Sequence, residues 1–115
     1  MSASQPSRGD VWSVSFDPTL GREQSGTRPA LVLSVDKFNH GPAELVVVLP
    51  MTSKDKGQPI HVPVIPPEGG LKLPSFIKCE DIRSVPKQRF QQYYGTISSQ
   101  TLAGVEKRLR ILLNL

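Results

Sequence analysis

The sequence predicts a mainly β domain that ends in a single C-terminal helix, and three observations carry that reading. Eleven prolines and nine glycines punctuate 115 residues too often for long helices. Several short apolar runs have the alternating or continuous pattern of strands. A sustained helical period occurs only at the very end.

The elements follow in order. In V-W-S-V-S-F, residues 11–16, Val11, Ser13 and Ser15 point one way and Trp12, Val14 and Phe16 the other, as in a first strand. A-L-V-L-S-V and E-L-V-V-V-L-P are nearly continuous in apolar residues, which suits central strands buried on both faces. Between them D-K-F-N-H-G-P is a turn-rich connection broken at Gly41-Pro42. P-I-H-V-P-V-I places Ile60, Val62 and Val64 on one face, and its prolines predict an edge strand. P-P-E-G-G reverses the chain, S-F-I-K-C-E is a further strand, residues 82–90 form a bend, and Y-Y-G-T-I is a short last strand. That makes about six strands. Ser98 caps a helix over residues 99–114, with Leu102, Val105, Leu109, Leu112 and Leu113 as the stripe that packs on the sheet. Lys107, Arg108 and Arg110 take other faces, near the end where positive charge suits the helix dipole.

Residues 1–7 are expected to be a disordered tail and residues 8–115 one domain, long enough to bury roughly 65% of its unfolded surface around a single core. Lys and Arg total 14 against 10 for Asp and Glu, a net charge of +4, which favours an anionic partner without naming one. Neither a signal-peptide apolar run nor a stretch approaching the ~18 apolar residues of a membrane span is visible, so a soluble cytoplasmic protein is expected. Cys79 has no cysteine partner, and no His or Cys spacing reads as a metal site.

The most informative stretch is residues 21–30, G-R-E-Q-S-G-T-R-P-A. It is a glycine-hinged polar loop running into an apolar strand, so a carboxylate, an amide and a guanidinium are held beside a rigid element. Arg28 offers a planar fork of donors matched to phosphate, with a charge that neutral pH never removes. A second polar and basic loop, M-T-S-K-D-K-G-Q, follows the third strand.

Together with R-G-D-V-W, V-V-V-L-P-M-T-S and F-I-K-C-E-D-I-R-S-V, this loop makes the chain resemble the MazF/PemK family of toxin endoribonucleases over about residues 8–113. The resemblance implies a small SH3-like β-barrel with a C-terminal helix, a homodimer, and cofactor-free, metal-independent cleavage of single-stranded RNA, messenger RNA being the expected target. It also implies a cognate antitoxin whose acidic C-terminal segment would occupy the same groove. Cleavage without a metal uses the substrate's own 2′-hydroxyl, so the protein must help remove its proton, stabilise the charged transition state and support the departing 5′-oxygen.

Site roles follow the resemblance residue by residue. Arg28 matches the family's catalytic arginine and Thr52 its strand-end threonine, able to hydrogen-bond the phosphate or a 2′-hydroxyl. Glu23 matches a glutamate that accepts the 2′-hydroxyl proton or orients the ribose. Arg22, Gln24 and Ser53 are expected at the RNA with them, and Lys54 and Lys56 at the backbone of flanking nucleotides. Lys78 and Glu80 stand where some members have an arginine and an aspartate proposed as acid and base. Arg22 replaces a histidine of some relatives, so histidine-mediated proton transfer has no support at that position.

Plainer readings remain open. Arg28 could pair with Glu23 or Asp17, Glu80 with Lys78 or Arg83, and Lys54 and Lys56 could simply keep the surface soluble. His40 and His61 read as structural or surface groups, Cys79 as a buried inert thiol, and Trp12 and Phe16 as core or dimer surface. With few aromatics, bases are expected to be read by hydrogen bonds and by the loops over residues 51–58 and 65–74. Arg8-Gly9-Asp10 leads into a strand and is not read as an adhesion motif. The competing functions are a non-enzymatic toxin of the same fold that binds a protein target such as DNA gyrase, and an inactive module that only binds RNA or an acidic peptide.

Overall fold

The structure is a computed structural model that describes residues 5–16 and 26–115. Among the described residues there are seven strands: β1 (Asp10–Ser15), β2 (Thr27–Val32), β3 (Leu45–Thr52), β4 (His61–Val64), β5 (Ser75–Lys78), β6 (Arg83–Pro86) and β7 (Phe90–Thr96). A single helical turn, α1 (Asp36–Asn39), occupies the connection read as a turn, and the chain ends in α2 (Ser99–Leu113). Strand pairing is antiparallel throughout, in the order β4-β5-β3-β2-β1-β7, with β6 also on β3. The outermost strands β4 and β7 do not pair, so the expected barrel is an unclosed sheet.

Strand β3 is the spine. Its first half, Leu45–Val48, pairs with β6, its second half with β5, and its middle with β2. The near-continuous apolar runs are explained by burial on both faces. Val46 and Val48 join Trp12, Val14, Phe16, Ala30, Val32 and Val85 in one cluster. Leu49 and Met51 join Val11, Leu31, Val62, Val64 and Ile77 in the other. Because side chains alternate along a strand, a chain that buries both faces shows no polar beat. Among the described residues strand β4 pairs only with β5, an edge position that suits its prolines.

Residues 82–90 hold one strand more than the sequence suggested. The segment read as a bend contains β6, which owes its extended form to pairing with β3 rather than to its own pattern. Residues 5–7, within the tail expected to be disordered, are tied down: Pro6 is buried and its carbonyl lies 2.9 Å from His40 Nε2, while the Ser7 N–H donates to Asp10 Oδ2 at 2.9 Å.

Helix α2 begins as predicted, with the Ser98 side chain accepting from the Thr101 N–H, and ends at Asn114 in the left-handed region. Val105 and Leu109 are buried in the second cluster and Leu102 packs against it. The stripe does not dock along its whole length, however. Leu112 and Leu113 are about half exposed, at 45% and 48%, with Ile111 and Leu115 more exposed still. Arg108 anchors the helix by donating from Nε to the Pro59 carbonyl ahead of β4, and Arg8 bonds both the Leu33 carbonyl and Glu106. Among the described residues no helix is long and apolar enough to cross a membrane.

Candidate functional site

A cleft of about 690 Å³ opens where β2 begins and β3 ends. Arg28 and Thr52 both line it. They come from neighbouring strands: the β2–β3 register pairs Ala30 with Pro50, and Arg28 and Thr52 each lie two residues beyond that pair, towards the same end of the sheet. On its other side Thr52 pairs with Phe76 of β5, so it sits on a backbone held from both flanks. Its Oγ1 accepts the Lys54 backbone N–H at 3.2 Å, which leaves the hydroxyl proton to donate. Arg28 is exposed and, among the described residues, makes no ion pair. An exposed guanidinium held by the strand presents its planar fork of donors to an anion.

Ser53, Lys54 and Lys56 line the same cleft from the loop after β3. Gly57 closes that loop with a positive φ of 64°, its N–H donating to Asp55 Oδ1. Arg22, Glu23 and Gln24 lie outside the described residues, as does Asp17, one of the plain partners considered for Arg28.

Lys78 and Glu80 are not among the residues lining the cleft. Ser75, at the near end of β5, lines it, but Lys78 is three residues further along, roughly 10 Å at the rise of a strand. There Lys78 Nζ lies 3.6 Å from Asp81, and Glu80 Oε2 lies 2.9 Å from Nε2 of the buried His61. The partner of Glu80 is therefore His61 rather than Lys78 or Arg83. Arg83 instead bonds Asp81 and stacks over the Phe16 ring at 5.0 Å. His61 is a structural group, with Nδ1 buried and unpartnered among the described residues. Beside this cluster Cys79 is fully buried. Burial pushes its thiol up to about 11, against an opposing pull from Arg108 and with a further push from Glu80.

Lining residues that the sequence reading did not single out include Lys72, Gln92, Tyr93 and Tyr94. Lys72 arrives because a tight turn, Glu68–Gly70, presses onto β7. That turn is also fastened to α2, since Glu68 Oε2 accepts the Ser98 N–H at 2.9 Å. Burial pushes the Glu68 carboxyl up, but hydrogen bonds from the Thr101 hydroxyl and from the N–H and hydroxyl of Ser98 outweigh it, so its pKa is lowered. The only cue to Lys72 was its place in the loop over residues 65–74, and the tyrosines carried none.

The described lining thus contains Arg28, Lys54, Lys56 and Lys72 and no carboxylate, a concentration of positive charge that the net +4 alone did not locate. Among the described residues no three His, Cys, Asp or Glu side chains gather as ligands for a metal.

The chain is similar to known proteins over nearly its whole length. It is 33% identical over 113 residues to the endoribonuclease MazF9 of Mycobacterium tuberculosis, covering 94% of this chain and 96% of that one. It is 35% identical over 101 residues to the endoribonuclease PemK of Escherichia coli, covering 83% and 75%. Among solved structures, MazF of Deinococcus radiodurans superposes with a TM-score of 0.86 at 30% identity, over 98% of this chain and all of that one. The MazE-MazF complex of the same organism superposes at 0.80 with 31% identity, over 98% and 99%. The family described as the PemK-like, MazF-like toxin of type II toxin-antitoxin systems matches residues 7–113, and this chain belongs to it.

Proposed function

We propose that the chain is the toxin of a toxin-antitoxin pair and an endoribonuclease that cuts single-stranded RNA, messenger RNA among it, at the cleft between Arg28 and Thr52. The observation that carries the site is the shared cleft: an exposed guanidinium, without an ion pair among the described residues, and a strand-held hydroxyl on adjacent strands, with lysines lining the same cleft. The 2′-oxygen of the substrate attacks the adjacent phosphorus as its proton is removed, the bond to the 5′-oxygen breaks as that oxygen takes a proton from solvent water, and the products carry a 2′,3′-cyclic phosphate and a 5′-hydroxyl. Arg28 meets the charge that grows on the non-bridging oxygens, since it cannot give up its proton near neutral pH. Thr52 donates its hydroxyl to the same phosphate or to the neighbouring ribose. Glu23 takes the proton from the 2′-hydroxyl, and Arg22, Gln24 and Ser53 hold the strand with Lys54 and Lys56. Lys78, beside Asp81, and Glu80, beside His61, meet the RNA strand where it runs beyond the described lining of the cleft.

The working form is a homodimer in the cytoplasm. Apolar surface at the end of α2, from Ile111 to Leu115, is available for a second copy to cover. An antitoxin with an acidic C-terminal segment would compete for the lysine-lined cleft by charge. Incubating the purified protein with mixed-sequence single-stranded RNA in EDTA, then mapping both ends of the fragments, tests the reading. Cleavage with cyclic phosphate ends is expected. Intact RNA across many sequences would overturn it, and inhibition of gyrase by the same preparation would point to a protein target instead.

A further inference from the structure

We propose that Tyr93 and Tyr94 form a stacking platform for an unpaired nucleobase flanking the scissile phosphate, with Lys72 beside it meeting the RNA backbone. The proposal rests on the reading of the cleft as an RNA site and adds a base-contacting subsite to it.

Consecutive residues in a regular strand point to opposite faces, so two neighbours rarely line one cleft. Here they do because β7 is bulged. Its ladder with β1 pairs Val11 with Gly95 but Trp12 with Tyr93, so Tyr94 is the extra residue opposite a single step of β1. A bulge re-aims side chains in this way and is favoured on edge strands, which β7 is. Both tyrosines line the cleft and stay open to solvent, 48% and 36% exposed.

The Tyr93 ring and the Tyr94 backbone are both held in place before anything binds. The Tyr93 ring packs edge-on against the buried Trp12 ring, with centroids 5.7 Å apart at 66°, and Trp12 is itself fixed by its indole N–H donating to Asp10 Oδ2 at 3.1 Å. Tyr94 is fixed through its backbone, because Gly70 lies so close that a Cβ there would stand 1.9 Å from the Tyr94 carbonyl oxygen. An aromatic ring held on one side and exposed on the other suits stacking on any base, at little entropic cost.

Location assigns the base to a flanking nucleotide. Tyr93 on β7 is separated from Arg28 on β2 by β1, two strand spacings or about 10 Å. Lys72 lines the cleft with the tyrosines, so a backbone passing the platform also meets a cation. An acidic peptide would satisfy the lysines equally well but has no need of two exposed rings. That difference favours a polynucleotide as occupant.

The test uses the RNA sequence that end mapping identifies, made with a 2′-deoxy nucleotide at the scissile position so that it binds without being cut. Tyr93→Ala and Tyr94→Ala are each expected to weaken binding, roughly 5- to 100-fold for loss of a stacked base, while Tyr93→Phe and Tyr94→Phe stay near wild type. The salt dependence should be unchanged in the tyrosine variants and shallower in Lys72→Ala. An abasic nucleotide at one flanking position should weaken wild-type binding and abolish the further loss from Tyr→Ala. Thermal melting of each variant separates this from unfolding, and Tyr94, whose ring makes no aromatic contact with Trp12, guards against a core effect at Tyr93.

Unchanged binding in both alanine variants, with cleavage still lost in Arg28→Ala, would overturn the platform and leave the nuclease reading standing. A uniform loss for every abasic position would also overturn it. RNA that the wild-type protein neither binds nor cuts would defeat both.

Discussion

Gly70 and Tyr94 touch through their backbones: a methyl group added at Gly70 would stand 1.9 Å from the Tyr94 carbonyl oxygen and 2.5 Å from its carbon. Gly70 also holds a positive φ of 67°, which a side chain tolerates poorly. Gly70→Ala is therefore expected to cost about 2 kcal/mol or more in a urea titration, from strain and overlap together. Gly57→Ala, at a φ of 64° with nothing within 4 Å, should cost only about 1 kcal/mol. Equal costs at the two positions would show that the turn does not bear on β7 as described. Because the turn delivers Lys72 to the cleft, Gly70→Ala should also weaken RNA binding.

Replacement of Arg28 separates charge from shape. Arg28→Ala should lose at least ~2 kcal/mol of transition-state stabilisation, about 30-fold in kcat. Its thermal stability should remain within ~0.5 kcal/mol of wild type, since the side chain is exposed and unpaired among the described residues. Arg28→Lys keeps the charge but not the planar fork, so it is expected to bind RNA well and cut it poorly. Turnover near wild type in Arg28→Ala would remove this residue from the chemistry.

The two ends of α2 should respond differently to truncation. Leu109 is 7% exposed and packs in the cluster with Val105 and Met51, so Leu109→Ala is expected to cost about 2–4 kcal/mol. Leu112 is 45% exposed, and Leu112→Ala should cost below ~1 kcal/mol in dilute protein. A shift of the sedimentation profile towards monomer in Leu112→Asp, with the fold intact, would place the helix end in the contact of the proposed dimer. Unaltered self-association would place that contact elsewhere.

Legibility in the sequence followed the reach of the interactions involved. Strands β1 to β5 declared themselves because burial on one or both faces leaves a local pattern, as in Trp12, Val14 and Phe16 or in Ile60, Val62 and Val64. Strand β6 did not, because its extended form comes from β3, nearly 40 residues earlier in the chain. The α2 stripe showed an apolar face but not what covers it, so Leu112 and Leu113 were grouped with residues that dock while they do not. Arg28 and Thr52, which line one cleft, stood out in the sequence through a short motif and a strand end. Tyr93 and Tyr94 did not, since a bulge is a relation between two strands and leaves no mark on either alone.

Cys79 should resist thiol reagents in the native protein. It is fully buried, and its thiol sits at about 11, so almost no thiolate exists at neutral pH. A chromogenic disulfide is expected to react with it only after denaturant is added, to one thiol per chain. Rapid reaction without denaturant would show that the β4–β5 edge opens readily and that His61 and Glu80 do not hold it shut.

Acid should loosen the attachment of the Lys72 turn to α2. The Glu68 carboxyl has its pKa lowered from the ordinary 4.5, so its hydrogen bonds to Ser98 and Thr101 favour the folded state when it is ionised. That contribution is fully present above pH 4.5 and fades as the pH falls below it, through the lower folded value. Replacing the carboxylate by an amide removes the titration. Glu68→Gln should therefore be less stable than wild type at neutral pH, and the difference should shrink as both are acidified towards and below pH 4, read from melting temperatures across that range. A gap that stays constant with pH would mean that Glu68 acts through packing alone. A gap that widens in acid would reverse the sign of the linkage and refute the charged hydrogen bonds at the start of α2.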